Sequence, residues 1–94
     1  TDHAAIGAIH ACRALNRRVP EDVSVVGYDD LEIAGLQIDY PLTTIAQPKE
    51  QVGTIAFELF QNALAGASPE SLLLEPTLVV RATTAPINQA ERST

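Results

Sequence analysis

Ninety-four residues, 46% of them apolar and 19% charged, make one small globular domain of ordinary composition, not two. A chain of this size buries only about 60–65% of its unfolded surface, so its core is modest. Twelve carboxylates against six Lys and Arg give a net charge of −6, a surface that repels phosphate, so this segment is not expected to bind nucleic acid by itself.

The first predicted element is a helix capped by Asp2, in which Ala5, Ile6, Ile9, Cys12 and Leu15 recur at helical spacing and make one apolar face. Arg13, Arg17 and Arg18 fall in its last turns, where cations complement the negative end of a helix. Asn16 begins the exit, and Val19-Pro20 stops the pattern because the residue before proline is pushed out of helical dihedrals. Val23-Ser24-Val25-Val26-Gly27-Tyr28 is short, β-branched and nearly continuous in its apolarity, as a parallel strand buried on both faces would be. It ends at two carboxylates, Asp29 and Asp30. Leu31 to Tyr40 is apolar without a clean period and reads as a short helix or turn followed by loop. Thr43-Thr44-Ile45-Ala46 is a second short strand. Pro48 sits where the first helical turn tolerates proline. Behind it Val52, Ile55, Ala56, Leu59, Phe60, Ala63 and Leu64 form the most regular apolar stripe in the chain. As a helix, residues 48–65 span roughly 27 Å, and Gly66 is placed to end it. Ser68-Pro69 marks a turn. Leu72 to Arg81 is extended but interrupted by Pro76, the mark of an edge or bulged strand, and the polar tail 85–94 is expected to be loosely held.

The order helix–strand–loop–strand–helix–strand predicts an α/β architecture with at least partly parallel strands. Two or three short strands cannot make a parallel sheet covered on both faces, and Met is absent. The sequence is therefore expected to be a fragment, with further strands encoded upstream of Thr1, and not to fold stably alone. One cysteine excludes an internal disulfide or a zinc cluster and fits a reducing compartment. No apolar run approaches the roughly 20 residues of a bilayer span, and no basic-then-apolar signal peptide opens the chain.

Ligands of open α/β sheets bind beyond the carboxyl ends of the strands, where Asp29 stands. Two roles are open for it: contact with ligand hydroxyls or amines, or capping of the following helix by Asp29 or Asp30. Adjacent strand residues point to opposite faces, so the two aspartates do not share one role, and a paired-carboxylate acid–base device is disfavoured. His3 and His10 lie on nearly one helical face but about 10.5 Å apart along the axis, not at the i, i+4 spacing of zinc ligands. No metal or cofactor is expected. Cys12 on the apolar face reads as an inert packed thiol. Gly7 and Gly27 belong to no phosphate-cradling motif, and no serine has the glycines of a nucleophile elbow. Gln47, between the second strand and the long helix, is either a pocket contact or an N-cap-like residue before Pro48. The apolar run Ile33-Ala34-Gly35-Leu36-Gln37-Ile38 either tucks into a core or forms a subunit contact.

Val19-Pro20-Glu21-Asp22-Val23-Ser24-Val25-Val26-Gly27-Tyr28-Asp29-Asp30, then Pro41-Leu42-Thr43-Thr44-Ile45 with Gln47-Pro48 and Gly53, resembles the lactose-repressor (LacI/GalR) family of bacterial transcription regulators. The ending Leu78-Val79-Val80-Arg81-Ala82-Thr83-Thr84 and the opening Asp2-His3-Ala4-Ala5-Ile6-Gly7 are similar to that family's terminal strand and Asp-x-x-Ala-x-Gly helix start. The resemblance spans almost the whole chain with the spacing between blocks preserved. It implies the C-terminal portion of a two-lobe, periplasmic-binding-protein-like (type I) α/β effector domain with parallel sheets. On that reading residues 1–46 lie mainly in the second lobe, 47–70 cross to the first, 71–84 form the terminal strand region and 85–94 the tail. The DNA-binding domain would lie upstream.

The resemblance further implies that Asp29, the first Asp of Gly-Tyr-Asp-Asp, contacts a small sugar-like effector, that Thr1 lines the same cleft, and that Gln47 lies at its hinge-side edge. The family often has Asn where Thr1 stands, and the lost amide leaves the effector class open. Ile6, His10, Ile33, Leu36 and Ile38 would belong to a dimerisation surface, giving a homodimer or dimer of dimers that meets operator DNA only through the upstream domain. The implied protein is a cytoplasmic repressor without a membrane partner. A periplasmic sugar-binding protein of a transporter shares the fold and is the alternative. An enzyme ranks third, since no catalytic constellation is present.

Overall fold

The computed structural model describes residues 1–37 and 39–87. In chain order the elements are α1 (Asp2–Ala14), β1 (Gly27–Tyr28), α2 (Glu32–Leu36), β2 (Thr44–Ala46), α3 (Lys49–Leu64) and β3 (Thr77–Val79). They fall into two compact units: Thr1–Ala46 with the segment that begins at Leu78, and Gln47–Thr77.

In the first unit Thr1, not Asp2, caps α1, its hydroxyl accepting from the Ala4 amide at 3.2 Å. Asp2 is the first helical residue and fully buried. The expected cap is displaced by one position because the Asp2 carboxylate is used elsewhere: it accepts from the Thr44 hydroxyl and from the Leu31 amide, both at 2.6 Å. At the other end Asn16 adopts φ 58°, and the Arg17 amide reaches back to the Cys12 carbonyl (2.8 Å) while the Asn16 amide bonds Arg13 (3.0 Å). This left-handed exit satisfies carbonyls that a helix end otherwise leaves unpaired. Leu15, expected on the apolar face, lies beyond the helix and is exposed.

The sheet order is β1-β2-β3, and β1 runs parallel to β2 with Gly27 opposite Thr44 and Tyr28 opposite Ile45. The strand expected over residues 23–28 is a ladder only at Gly27–Tyr28, and it is covered on one face rather than two. Val25 and Gly27 are buried while Ser24, Val26 and Tyr28 are exposed, the alternation of a half-covered strand, and Val23 ahead of it is exposed as well. Before the ladder the chain is held differently. The Val25 amide donates to the Thr83 carbonyl at 2.9 Å, and the Thr83 hydroxyl donates back to the Val25 carbonyl at 2.7 Å while accepting from the Thr43 amide at 2.9 Å. The terminal segment thus joins the residues that lead into β1 and β2. The core against α1 consists of Ala5, Ile9, Val19, Val25, Ala34 and Leu42, with Ile6, Cys12 and Tyr40 packed at its margin.

Between α1 and β1 the Arg18 side chain and amide grip Asp22, with guanidinium contacts of 3.1 and 3.2 Å and an amide contact of 2.8 Å. The hydrogen bond from the Arg18 guanidinium, helped by that from its amide, holds the Asp22 carboxyl below its ordinary value of 3.8.

The second unit is mainly α3. Its N-cap is Pro48 without a side-chain cap, so neither Gln47 nor a first-turn proline starts it. Its C-terminus closes as the glycine predicts: Gly66 has φ 94°, with the Ala67 amide on Asn62 (3.0 Å) and the Gly66 amide on Ala63 (3.1 Å). The apolar stripe exists, but none of it is buried: Ile55 and Leu59 are half-covered, and Phe60 remains 59% exposed. A single helix with one extended segment is too small to bury its own apolar face. The extended element expected from Leu72 is a strand only after Pro76, at Thr77–Val79. Most of the expected loose tail lies outside the described residues.

An added methyl at Gly27 would run into the Asp2 carboxylate and stand 2.7 Å from Leu42 Cδ2 and 3.2 Å from Thr44 Oγ1. Gly27→Ala is expected to lower stability by about 1–3 kcal/mol, as overpacking does, read as a lower urea midpoint. Asp22 carries the second expectation. Its depressed folded-state pKa stabilises the Arg18 turn above the unfolded value, and that contribution is lost as pH falls through the folded one. A carbon-detected NMR titration should place the Asp22 midpoint below 3.8, and Arg18→Ala should return it toward that value.

Candidate functional site

The start of α1 meets β1 at Gly27, β2 at Thr44 and the chain beyond β1 at Leu31. Beyond Tyr28 the chain turns sharply, with Asp29 at φ 112° and Asp30 at φ 54°, a left-handed region that non-glycine residues rarely enter. The backbone is pinned on both sides of this turn. The Asp29 amide donates to the Ile45 carbonyl at 2.8 Å, the Asp30 amide to Thr44 Oγ1 at 3.3 Å, and the Leu31 amide to Asp2. Thr44 is the junction, since its hydroxyl also donates to Asp2.

Asp29 and Asp30 both lie beyond the end of β1, in a turn and not in the strand from which their opposite facing was expected. Neither caps α2, whose N-cap is Leu31 without a side-chain hydrogen bond. The Asp30 carboxylate pairs with Arg81 Nη2 at 2.8 Å. Asp29 is half-buried, beyond the carboxyl end of β1. Thr1 is exposed at the start of α1, one residue before Asp2, whose carboxylate receives the Leu31 amide. Thr1 is thus the chain neighbour of Asp2, and Asp29 lies two residues before its partner Leu31. Gln47 follows β2 directly in the chain, is exposed, and opens the second unit.

The five residues expected at a subunit contact are placed as follows. Ile6, His10 and Leu36 line one cleft of about 320 Å³ between α1 and α2, closed at one side by Tyr40. Arg13, on the same cleft, stacks its guanidinium 5.2 Å from the Tyr40 ring centre. Leu36 is 66% exposed and Ile33 half-buried, its carbonyl accepting from the Gln37 side chain at 3.3 Å. Ile38 lies outside the described residues. Among the described residues no three His, Cys, Asp or Glu side chains gather as a metal ion would require, and no helix is long and apolar enough to cross a membrane.

Sequence reasoning missed two residues. Asp2 passed as a helix cap, because a first-turn carboxylate is ordinary and nothing local shows it buried. Arg81 reads in the sequence only as a charge within the terminal extended segment, because its partner Asp30 lies 51 positions away in the chain. The one available signal was Gly27, a glycine inside a β-branched run, which marks a close approach by another group.

Residues 1–84 match the family described as periplasmic binding protein-like domain. The chain is 42% identical over 89 residues to the HTH-type transcriptional repressor PurR of Vibrio vulnificus, covering 93% of this chain and 26% of that protein. It is 39% identical over 83 residues to the ribose operon repressor of Haemophilus influenzae, covering 86% of this chain and 25% of that protein. Among solved structures, the transcriptional regulator CelR–cellobiose complex superposes with a TM-score of 0.81 at 39% identity, over 88% of this chain and 26% of that one. The chain spans about a quarter of the length of the curated relatives it matches. With the parallel β1–β2 pair and the left-handed turn beyond it, these likenesses mean that the chain belongs to the periplasmic binding protein-like domain family, in the form found in LacI/GalR transcription regulators.

Proposed function

We propose that this chain is the ligand-sensing and dimerisation part of a bacterial DNA-binding repressor that responds to a small sugar-like effector. The observation that carries it is the place of Asp29: a carboxylate-bearing residue in a left-handed turn off the carboxyl edge of two parallel strands, beside the start of α1. That edge is where open α/β sheets take ligands, and a carboxylate there orients sugar hydroxyls by accepting charge-assisted hydrogen bonds. Two relatives support the ligand class by their names, a ribose operon repressor and a regulator held with cellobiose. Thr1 adds a hydroxyl to the contact, and Gln47 is assigned to it from its place directly after β2.

In this proposal residues 1–46 belong to the second lobe of the effector domain, 47–70 cross to the first, 71–84 form the terminal strand region and 85–94 the tail. Operator contact belongs to a separate DNA-binding domain, since a segment of net charge −6 is poorly suited to phosphate. Ile6, His10, Ile33, Leu36 and Ile38 are assigned to the contact between two copies, and the protein acts in the cytoplasm without enzymatic activity. The effector acts through its differential affinity for two arrangements of the dimer, which set how paired DNA-binding domains meet their half-sites. A transport protein would share the fold, but the names of three relatives, two repressors and the regulator CelR, disfavour it.

Two expectations follow for the full-length regulator. Asp29→Asn should leave the melting temperature unchanged and weaken binding of D-ribose or cellobiose, whichever the wild type takes, by about 10- to 100-fold, the worth of a hydrogen bond to a charged group. Calorimetric titration checks this, and an unchanged affinity removes Asp29 from the site. Leu36→Glu should shift sedimentation equilibrium toward monomer by placing a charge in an apolar contact. An unchanged dimer removes the cleft beside α2 from the interface.

A further inference from the structure

Asp29 stands at the proposed effector contact, yet its own backbone is in a conformation that persists only where surrounding structure enforces it. On its far side the turn meets Arg81, through the Asp30 carboxylate. Its guanidinium spans two elements: Nη1 donates to the Leu42 carbonyl and Nη2 to Asp30 Oδ1, each at 2.8 Å. Its own amide is fixed on Thr43 Oγ1 at 2.9 Å, and the guanidinium rests against α2, where Gly35 has no side chain; a Cβ there would stand 3.7 Å from Nη2. Arg81 is therefore anchored at main chain and side chain before it reaches Asp30, and both halves of the ion pair are largely shielded from water (side chains 24% and 28% exposed). Planar, forked donors make such a bridge in a way a lysine ammonium does not.

We propose that Arg81 is a positioning residue for the effector site: by gripping Asp30 it holds the left-handed Asp29-Asp30 turn, and so sets how Asp29 meets its ligand. The proposal rests on the effector-binding function given above. Its chemistry is that of preorganisation, in which a turn already held in its binding conformation loses less freedom when the ligand arrives. The three backbone bonds at the turn, Asp29 to Ile45, Asp30 to Thr44 and Leu31 to Asp2, are the observable that reports the grip without any ligand.

The test uses the full-length regulator with Arg81→Lys and Arg81→Met, hydrogen–deuterium exchange read by mass spectrometry, and calorimetric titration with D-ribose and cellobiose. In Arg81→Met, amide exchange over residues 29–31 should accelerate at least tenfold while α1 and the Val25 segment keep wild-type protection, and sugar affinity should fall at least fivefold. Arg81→Lys should recover part of both. In an Asp29→Asn background the further loss on adding Arg81→Met should be smaller than in wild type, because Arg81 acts through Asp29; a purely structural role predicts equal losses. The proposal is overturned by wild-type exchange at residues 29–31, by acceleration spread over the whole core, or by unchanged affinity alongside a loosened turn. Should the wild type bind neither sugar, the choice of those sugars as effectors fails, and the exchange result alone decides whether Arg81 holds the turn.

Discussion

The buried carboxylate of Asp2 organises the first unit. It sits in the first turn of α1, where the exposed amides of a helix start favour negative charge, and it joins α1 to the chain beyond β1 and to β2 through Leu31 and Thr44. A buried carboxylate is costly unless hydrogen-bonded, so the geometry around it is narrowly specified. Gly27 is where the strand must lack a side chain, because the carboxylate and Leu42 fill the space a Cβ would take. Thr44 must be a hydroxyl that donates to Asp2 and accepts from Asp30 at once. These fixed points receive the Asp30 and Leu31 amides of the left-handed turn beyond β1.

The terminal segment closes the same unit from its other side. Thr83 is fully buried and bridges Val25 and Thr43, while Arg81 reaches Leu42 and Asp30. Residues from the two ends of the chain thus share one hydrogen-bonded patchwork. Contacts of such long sequence separation constrain a short, two-residue β1 that its own ladder could not hold. They also connect the edge where a ligand is expected to residues that never approach it in sequence.

The second unit shows the reverse balance. Its helix is well specified locally, with a periodic apolar stripe and a glycine-terminated end, yet none of its residues is buried. Periodicity states which face of a helix is apolar and says nothing of what covers it. The same holds for the run that ends in β1, where Val23, Val26 and Tyr28 are exposed although the sequence looks doubly buried. In both places the apolar surface is that of a segment which spans about a quarter of its relatives' length.

Much was legible before any coordinates. Element order, the α/β class, the parallel pairing, the glycine stop at Gly66 and the strand-end position of Asp29 follow from periodicity, β-branching and turn chemistry, which are local properties of the chain. The family was legible from the Gly-Tyr-Asp-Asp and Leu-Thr-Thr-Ile blocks and their spacing. Tertiary structure alone decided that Thr1 rather than Asp2 caps α1, that Asp30 belongs to Arg81, and that Thr83 joins the residues that lead into β1 and β2. Each of these is a choice among hydrogen-bond partners that local sequence leaves equivalent. Only the three-dimensional approach of residues 29 to 58 positions apart makes one partner reachable and removes water as a competitor.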